Sequence, residues 1–282
     1  MANTSKVTVV RDALYSKYQE SFIAQCGYPS LLSAADEVDA AYQCIATAIG
    51  EFERSKQFAK YDSKYDHYLQ ECIDKEESTD MDLQKCANGM GKDAKYAAKE
   101  KLSKDEWAGL KLFVGNNNND GIFQPGEGAG CAVCHSMNWT NASDHTLNVQ
   151  VPSWAPENKI PPIFTDFSYD NLGIPKNRHP ILASNPIDLG LGSQVFDATE
   201  DGKFKVSTLR NIADTAPYGH NGFFTTLERI THFYNVRDKN IHHVAEVPGT
   251  MNITELGSLG LTKEQEQQIV AFMKTLSDDY ED

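Results

Sequence analysis

The sequence predicts a mostly α-helical fold with long loops, on three observations. Apolar residues recur at helical spacing in several windows. Ser or Thr followed three residues later by an acidic or amide side chain opens four of the windows. No stretch shows the two-residue alternation of a half-buried strand.

The elements follow in chain order. Val7, Val10, Leu14, Tyr18 and Phe22 form a helical stripe that Gly27 and Pro29 stop. Ser33 and Asp36 make a capping box before Val38, Ala41, Tyr42, Ile45, Ile49 and Phe52, an amphipathic helix. Together these segments read as an N-terminal helical hairpin. The stretch from Cys72 to residue 100 is polar and aperiodic, and reads as a surface excursion. Ser103 and Glu106 cap a helix with Trp107, Leu110 and Phe113 on one face. Residues 116–130 form a loop; its Asn run, Asp120 and Glu127 offer hard oxygen ligands for Ca²⁺ but lack EF-hand spacing, and read as a solvated turn. Seven prolines between Pro152 and Pro186 keep the next stretch in coil, wrapped around something that supplies its core. Thr225 and Glu228 cap a helix with Leu227, Ile230, Phe233 and Tyr234. Thr262 and Gln265 cap the last one, with Ile269, Phe272, Met273 and Leu276. Two domains are expected, residues 1–100 and 101–282.

The 282 residues are 40% hydrophobic and 23% charged, a globular composition without a run of the roughly 20 apolar residues that span a bilayer. Lys+Arg number 26 and Asp+Glu 40, a net charge of -14 that excludes nucleic acid and anionic lipid as partners and leaves a cationic protein or a small substrate. Of six cysteines, Cys26, Cys44, Cys72 and Cys86 suit two disulfides in an oxidising compartment or, alternatively, buried thiols. Cys72 and Cys86 bracket one polar segment and are the favoured pair; the connectivity is otherwise open. Residues 1–10 lack the apolar segment of a signal peptide.

The other two cysteines stand in Cys131-Ala-Val-Cys134-His135, the pattern of c-type haem attachment. Two thiols three residues apart reach the two vinyl groups of one porphyrin, and the adjacent His135 falls under the iron. Composition alone yields such a match with a chance of roughly 0.004. A zinc ribbon needs a second ligand pair, and a thioredoxin-like site needs a preceding βαβ pattern; neither is present. The sixth ligand decides the chemistry. Its candidates are Tyr234, Met251, Met137, Met273 and the free histidines, with Tyr234 on the apolar side of its helix and Met251 in a loop after Pro248 and Gly249.

Further segments carry a resemblance: Phe164-Thr-Asp-Phe-Ser-Tyr-Asp-Asn171-Leu-Gly, Leu209-Arg-Asn211, Thr215-Ala-Pro-Tyr-Gly-His-Asn-Gly222, His232-Phe-Tyr234-Asn and Leu259-Gly-Leu-Thr. With the haem motif, they resemble the bacterial di-haem cytochrome c peroxidase/MauG family over nearly the whole chain. The resemblance is to the C-terminal, electron-transfer part of such enzymes. Their earlier domain carries another CxxCH and an interhaem tryptophan, whereas this chain has one CxxCH and no Trp before Trp107. The resemblance implies a cytochrome c-type haem domain, a fragment of a longer or split enzyme, and an extracytoplasmic, periplasmic location. It implies one covalent haem c held by Cys131, Cys134 and His135, with Tyr234 as the MauG-type distal ligand. It implies a Ca²⁺ ion on the backbone oxygens of Thr215 and Pro217, a haem-edge position for His220, and a propionate partner in Arg210. A small donor cytochrome or cupredoxin, the N-terminal haem domain and a second copy of the chain are the implied partners. The expected role is electron relay for peroxide reduction, with little turnover by the isolated chain. A mono-haem carrier and MauG-like oxidation of a partner protein are the alternatives.

Overall fold

A computed structural model describes residues 5–14, 19–26, 35–53, 55, 60–73, 79–115, 128–142, 151–240 and 243–281. The chain divides into two compact units, Met1–Ala59 with His145–Gln150, and Lys60–Asp144 with Val151–Asp282. Among the described residues no helix is long and apolar enough to cross a membrane.

The first unit contains α1 (Lys6–Leu14), α2 (Gln19–Cys26) and α3 (Ala35–Glu53). Val10, Phe22, Val38 and Ala41 form its core, and a Cys26–Cys44 disulfide ties α2 to α3. The anticipated apolar stripe of α3 is only partly used. Val38 and Ala41 are buried, whereas Tyr42, Ile49 and Phe52 lie exposed. The anticipated capping residue Ser33 falls outside the described residues.

The second unit opens with α4 (Lys64–Ile73), α5 (Asp80–Ala87), α6 (Gly91–Lys101) and α7 (Lys104–Val114). The expected excursion over 72–100 is corrected here, because residues 80–101 fold as α5 and α6. The side chain of Thr79 caps α5 by accepting from Asp82 N. Tyr65 and Tyr68 of α4 donate their hydroxyls to the Ala87 and Cys86 carbonyls at 2.9 and 2.8 Å, satisfying groups that a helix C-terminus leaves open. The Cys72–Cys86 disulfide forms across the same contact. Helix α6 buries only Ala94, Ala97 and Ala98, a face of small side chains that lets it lie close to α4. Residues 74–78, the most polar of the segment, lie outside the described residues.

Ser103 closes the expected capping box with Glu106 on α7, and Leu110 and Phe113 are buried. Short α8 (Leu191–Val195), then α9 (Leu227–Val236) and α10 (Lys263–Lys274), complete the helices. Thr262 and Gln265 form the expected box on α10, which buries Ile269, Phe272 and Met273. Helix α9 is capped one residue later than expected, by Thr226 accepting from Arg229 N. Helices α7 and α10 cross with backbones in contact. A Cβ on Gly109 would lie 1.9 Å from the Gln268 carbonyl oxygen, so only glycine fits the crossing. Two antiparallel pairs of two-residue strands, β1 (Thr140–Asn141) with β2 (Lys159–Ile160) and β3 (Tyr169–Asp170) with β4 (Phe204–Lys205), pin the loops.

Candidate functional site

The pentapeptide 131–135 starts where α7 ends. Ala129 N donates to the Leu112 carbonyl at 2.8 Å, and Gly130 takes a positive φ of 62° that turns the chain into a 3₁₀ turn, Cys131–Val133. His135 N then donates to the Cys131 carbonyl at 2.9 Å, and Asp166 N to the Cys134 carbonyl at 3.0 Å. The two thiols and the imidazole are thus held on one short, backbone-bonded turn.

These residues line a cavity of about 490 Å³. Its other walls come from the segments joined by β3 and β4, from the 212–220 loop, from Leu227, Ile230 and Tyr234 of α9, and from Ile269 and Met273 of α10. The volume and the apolar lining with few polar groups are those of a cofactor site. Cys131 and Cys134 are free thiols. Burial pushes them up, Cys131 to about 12 and Cys134 to about 11, with Glu255 and Asp170 adding to the rise at Cys134. At neutral pH both are protonated, unlike the activated thiolate of a redox or metal-thiolate CxxC.

His135 Nδ1 is bonded to the Phe164 carbonyl at 3.0 Å. That bond leaves Nε2 as the ring nitrogen for a metal and orients the imidazole, the usual role of a backbone carbonyl behind a metal-binding histidine. Burial lowers the His135 pKa against the pull of the Phe164 and Ser207 backbones, so the ring is held neutral, the form that ligates. Tyr234 lines the same cavity, and among the described residues its hydroxyl makes no hydrogen bond. Burial foremost, then the Cys131 and Cys134 thiols and Asp170, raises its pKa far above that of an ordinary phenol. The side chain is partly buried on the cavity wall, where iron would give its oxygen a partner. These features together fit a covalent haem c: two thiols three residues apart outside any disulfide, a neutral oriented imidazole and a phenol on the walls of one apolar space.

The other anticipated residues divide. His220, Thr215, Pro217 and Met273 line the cavity. The imidazole of His220 stacks on Phe204, with ring centroids 3.8 Å apart, and its Nε2 donates to Glu246. Thr215 turns its hydroxyl to the Ile212 carbonyl at 3.2 Å. Met251 and Met137 are not in the lining. Met251 instead packs onto Gly173, where a Cβ would sit 2.2 Å from its sulfur, and Met137 is buried in the core. Arg210 is a correction. Its Nη1 donates to Asp66 Oδ2 at 2.5 Å, and its Nε and Nη2 to the Pro162 carbonyl at 3.0 and 2.8 Å. It also stacks over Tyr61, 4.6 Å from the ring centroid. All three guanidinium nitrogens are committed there and Arg210 does not line the cavity, so it is not placed to hold a propionate. The Asn run with Asp120 and Glu127 lies outside the described residues.

Four site residues were given no individual role from the sequence. Glu246 reaches His220 from 26 positions away, a distance no motif signals. Asn171 fixes the 247–252 loop, donating to the Val247 carbonyl and Thr250 at 2.8 Å each. Asp170 and Glu255 bring a carboxylate oxygen each within 4.8 Å of the Cys134 sulfur and of one another. Asn252 Nδ2 donates to both, at 2.7 and 2.6 Å, and so spaces the two charges.

No protein-family model matches the chain. It is 24% identical over 289 residues to the methylamine utilization protein MauG of Paracoccus denitrificans, an alignment covering 95% of this chain and 60% of MauG. It is 30% identical over 198 residues to the cytochrome-c peroxidase IdrP1 of Denitromonas iodatirespirans, covering 61% of this chain and 44% of that one. The chain thus spans about half the length of these relatives. The crystal structure of the diheme peroxidase BthA from Burkholderia thailandensis superposes with a TM-score of 0.62 at 20% identity, over 99% of this chain and 60% of BthA. The relatives carry the names of cytochrome c peroxidases and of MauG, and the chain has the mostly helical fold of a diheme peroxidase.

Proposed function

We propose that the chain is the electron-transfer portion of a periplasmic di-haem cytochrome c peroxidase, relaying electrons from a donor protein toward a second haem that reduces hydrogen peroxide. The observation that carries this reading is the meeting of Cys131, Cys134, His135 and Tyr234 on the walls of one apolar cavity. A haem c bound there supplies a one-electron store. The chain's own part would be to tether it by two thioethers, to present the His135 imidazole neutral with Nδ1 tied back to Phe164, and to offer the Tyr234 oxygen from α9. The apolar walls exclude water and so limit the solvent reorganisation that a one-electron change of charge would demand. The names of the curated relatives and the fold of BthA support the assignment.

Two disulfides and a haem-attachment motif suit an oxidising compartment. A net charge of -14 suits a cationic donor, a small cytochrome or cupredoxin. The backbone oxygens of Thr215 and Pro217 are assigned to a Ca²⁺ ion completed by the second haem domain, and a second copy of the chain is a further assigned partner. MauG-like oxidation of a partner protein is the second reading. It is favoured by one observation: a tyrosine, where the resemblance gives methionine to the peroxidases proper, lines the cavity.

Peroxide reduction is assigned to the chain only in company with a second haem domain. The haem-loaded chain alone, assayed with hydrogen peroxide and a reduced cytochrome, is therefore expected to turn over at least a hundredfold more slowly than the general range of enzymes, about 1–10³ s⁻¹. Turnover within that range would overturn the assignment.

A further inference from the structure

One ion pair, between Glu246 and the His220 imidazole that lines the cavity, has no part in holding the haem. The His220 imidazole is 14% exposed and the Glu246 side chain 7%, although the His220 backbone itself lies open to solvent. Each is fixed from behind. Glu246 N donates to the Ile174 carbonyl at 3.1 Å, and its carboxylate accepts from Asn221 Nδ2 at 3.3 Å as well as from His220. Asn221 in turn donates to the Pro175 carbonyl at 2.9 Å. Phe204 covers the flat of the imidazole in a near-parallel stack, 6° between planes.

Among the charged groups along the packed elements, Asp170 and Lys205 also line the cavity, and each of the three lysines has a contact of its own. Lys205 lies over the Phe167 ring, Lys203 pairs with Glu200, and Lys176 donates to the Asn185 carbonyl. Glu246 is therefore the ionisable group facing the ring from the 245–247 loop. The strand β4 side presents Phe204, and the 174–177 side presents the Ile174 and Pro175 carbonyls, which hold Glu246 N and Asn221 Nδ2. The pair carries one negative charge with His220 neutral and none with His220 protonated, and it forms part of the wall of a cavity in which a metal would change its charge by one.

Resting on the haem assignment above, we propose that His220, held by Glu246, is the group that takes up a proton when the site takes up an electron. The balance is simple. One electron arrives from the donor protein, and one proton from bulk water binds Nδ1 while Nε2 keeps its bond to Glu246. On oxidation both leave. The physical cause is Coulombic. Removing one positive charge from the cavity strengthens proton binding on its low-dielectric wall. Histidine is the side chain that titrates in the range where this matters, between about pH 5 and 8. Glu246 keeps His220 competent to bind the proton, and Phe204 covers one face of the ring.

The test is a spectroelectrochemical titration of the haem-loaded chain from pH 5 to 8, with His220→Gln and Glu246→Gln in parallel. Proton binding at least tenfold tighter in the reduced form is expected, which lowers the midpoint by about 59 mV across the window for a one-electron couple. Both substitutions are expected to flatten that dependence while keeping the wild-type haem absorption. A flat wild-type profile overturns the proposal, and so does a slope that survives His220→Gln. A chain that matures without haem colour fails at the earlier assignment and takes this inference with it, so the two failures are told apart by absorption alone.

Discussion

Replacing Tyr234 with Phe in the haem-loaded chain is expected to change the visible and EPR spectra in the manner of a lost axial ligand, whereas Met251→Leu leaves them as they are. The phenol is partly buried, lines the cavity and has no hydrogen-bond partner among the described residues. Burial makes its ionisation unfavourable. A ferric ion reverses that logic, because a bound cation is the largest local charge and stabilises a phenolate that the protein alone would not. A phenolate also holds iron in the ferric state. The substitution is therefore expected to favour the ferrous form by at least tenfold, a rise of about 59 mV or more in midpoint potential. Methionine at 251 packs against Gly173 outside the lining and has no route to the same effect. Unchanged spectra in Tyr234→Phe would show the residue to be ordinary core and would return the sixth position to another side chain.

The second large effect is expected at Arg210, and on stability rather than on the haem. Arg210 and Asp66 form an ion pair with side chains 9% and 1% exposed. Asp66 also accepts from the Ser63 hydroxyl and backbone N–H, and Tyr61 covers the guanidinium. The pair joins the start of α4 to the segment between β4 and α9. Removing one partner of a buried pair strands the other charge in low dielectric and costs about 3–5 kcal/mol. In a unit of this size each kcal/mol lowers Tm by roughly 2–4 °C. Arg210→Met is therefore expected to melt on the order of 6–20 °C lower by calorimetry, with the haem spectrum and potential of the surviving folded protein unchanged. The reverse pattern, a stable protein with a shifted potential, would restore Arg210 as a propionate ligand and refute the structural role.

These two residues also show how legibility divides. Local signals survived folding well. The Ser103/Glu106 and Thr262/Gln265 boxes are present because a capping box is completed within four residues, and Cys72 of α4 and Cys86 of α5 pair at a sequence separation of 14. The CxxCH turn and Tyr234 line one cavity, since one is a contiguous motif and the other lies on the apolar face of a helix with a readable period.

Long-range pairing was not legible. Arg210 finds Asp66 at a separation of 144 residues, and His220 finds Glu246 across two loops, with nothing local to announce either. Helices α5 and α6 escaped notice for a different reason. Helix α6 buries only Ala94, Ala97 and Ala98, and α5 is a short helix that buries Leu83, Cys86 and Ala87 and has its C-terminal carbonyls satisfied by tyrosines from α4, so the apolar period that betrays a helix is weak. On α3 the error ran the other way. The apolar stripe is longer than the core it meets, and Ile49 and Phe52 are left exposed.

The account rests on a covalent tetrapyrrole at Cys131 and Cys134, and the most direct measurement is the intact mass of the periplasmically matured chain under denaturing conditions. The predicted result is the polypeptide plus one haem, with the visible absorption retained after acid–acetone extraction, and loss of both in the Cys131→Ala/Cys134→Ala variant. A colourless chain at the bare polypeptide mass would contradict it.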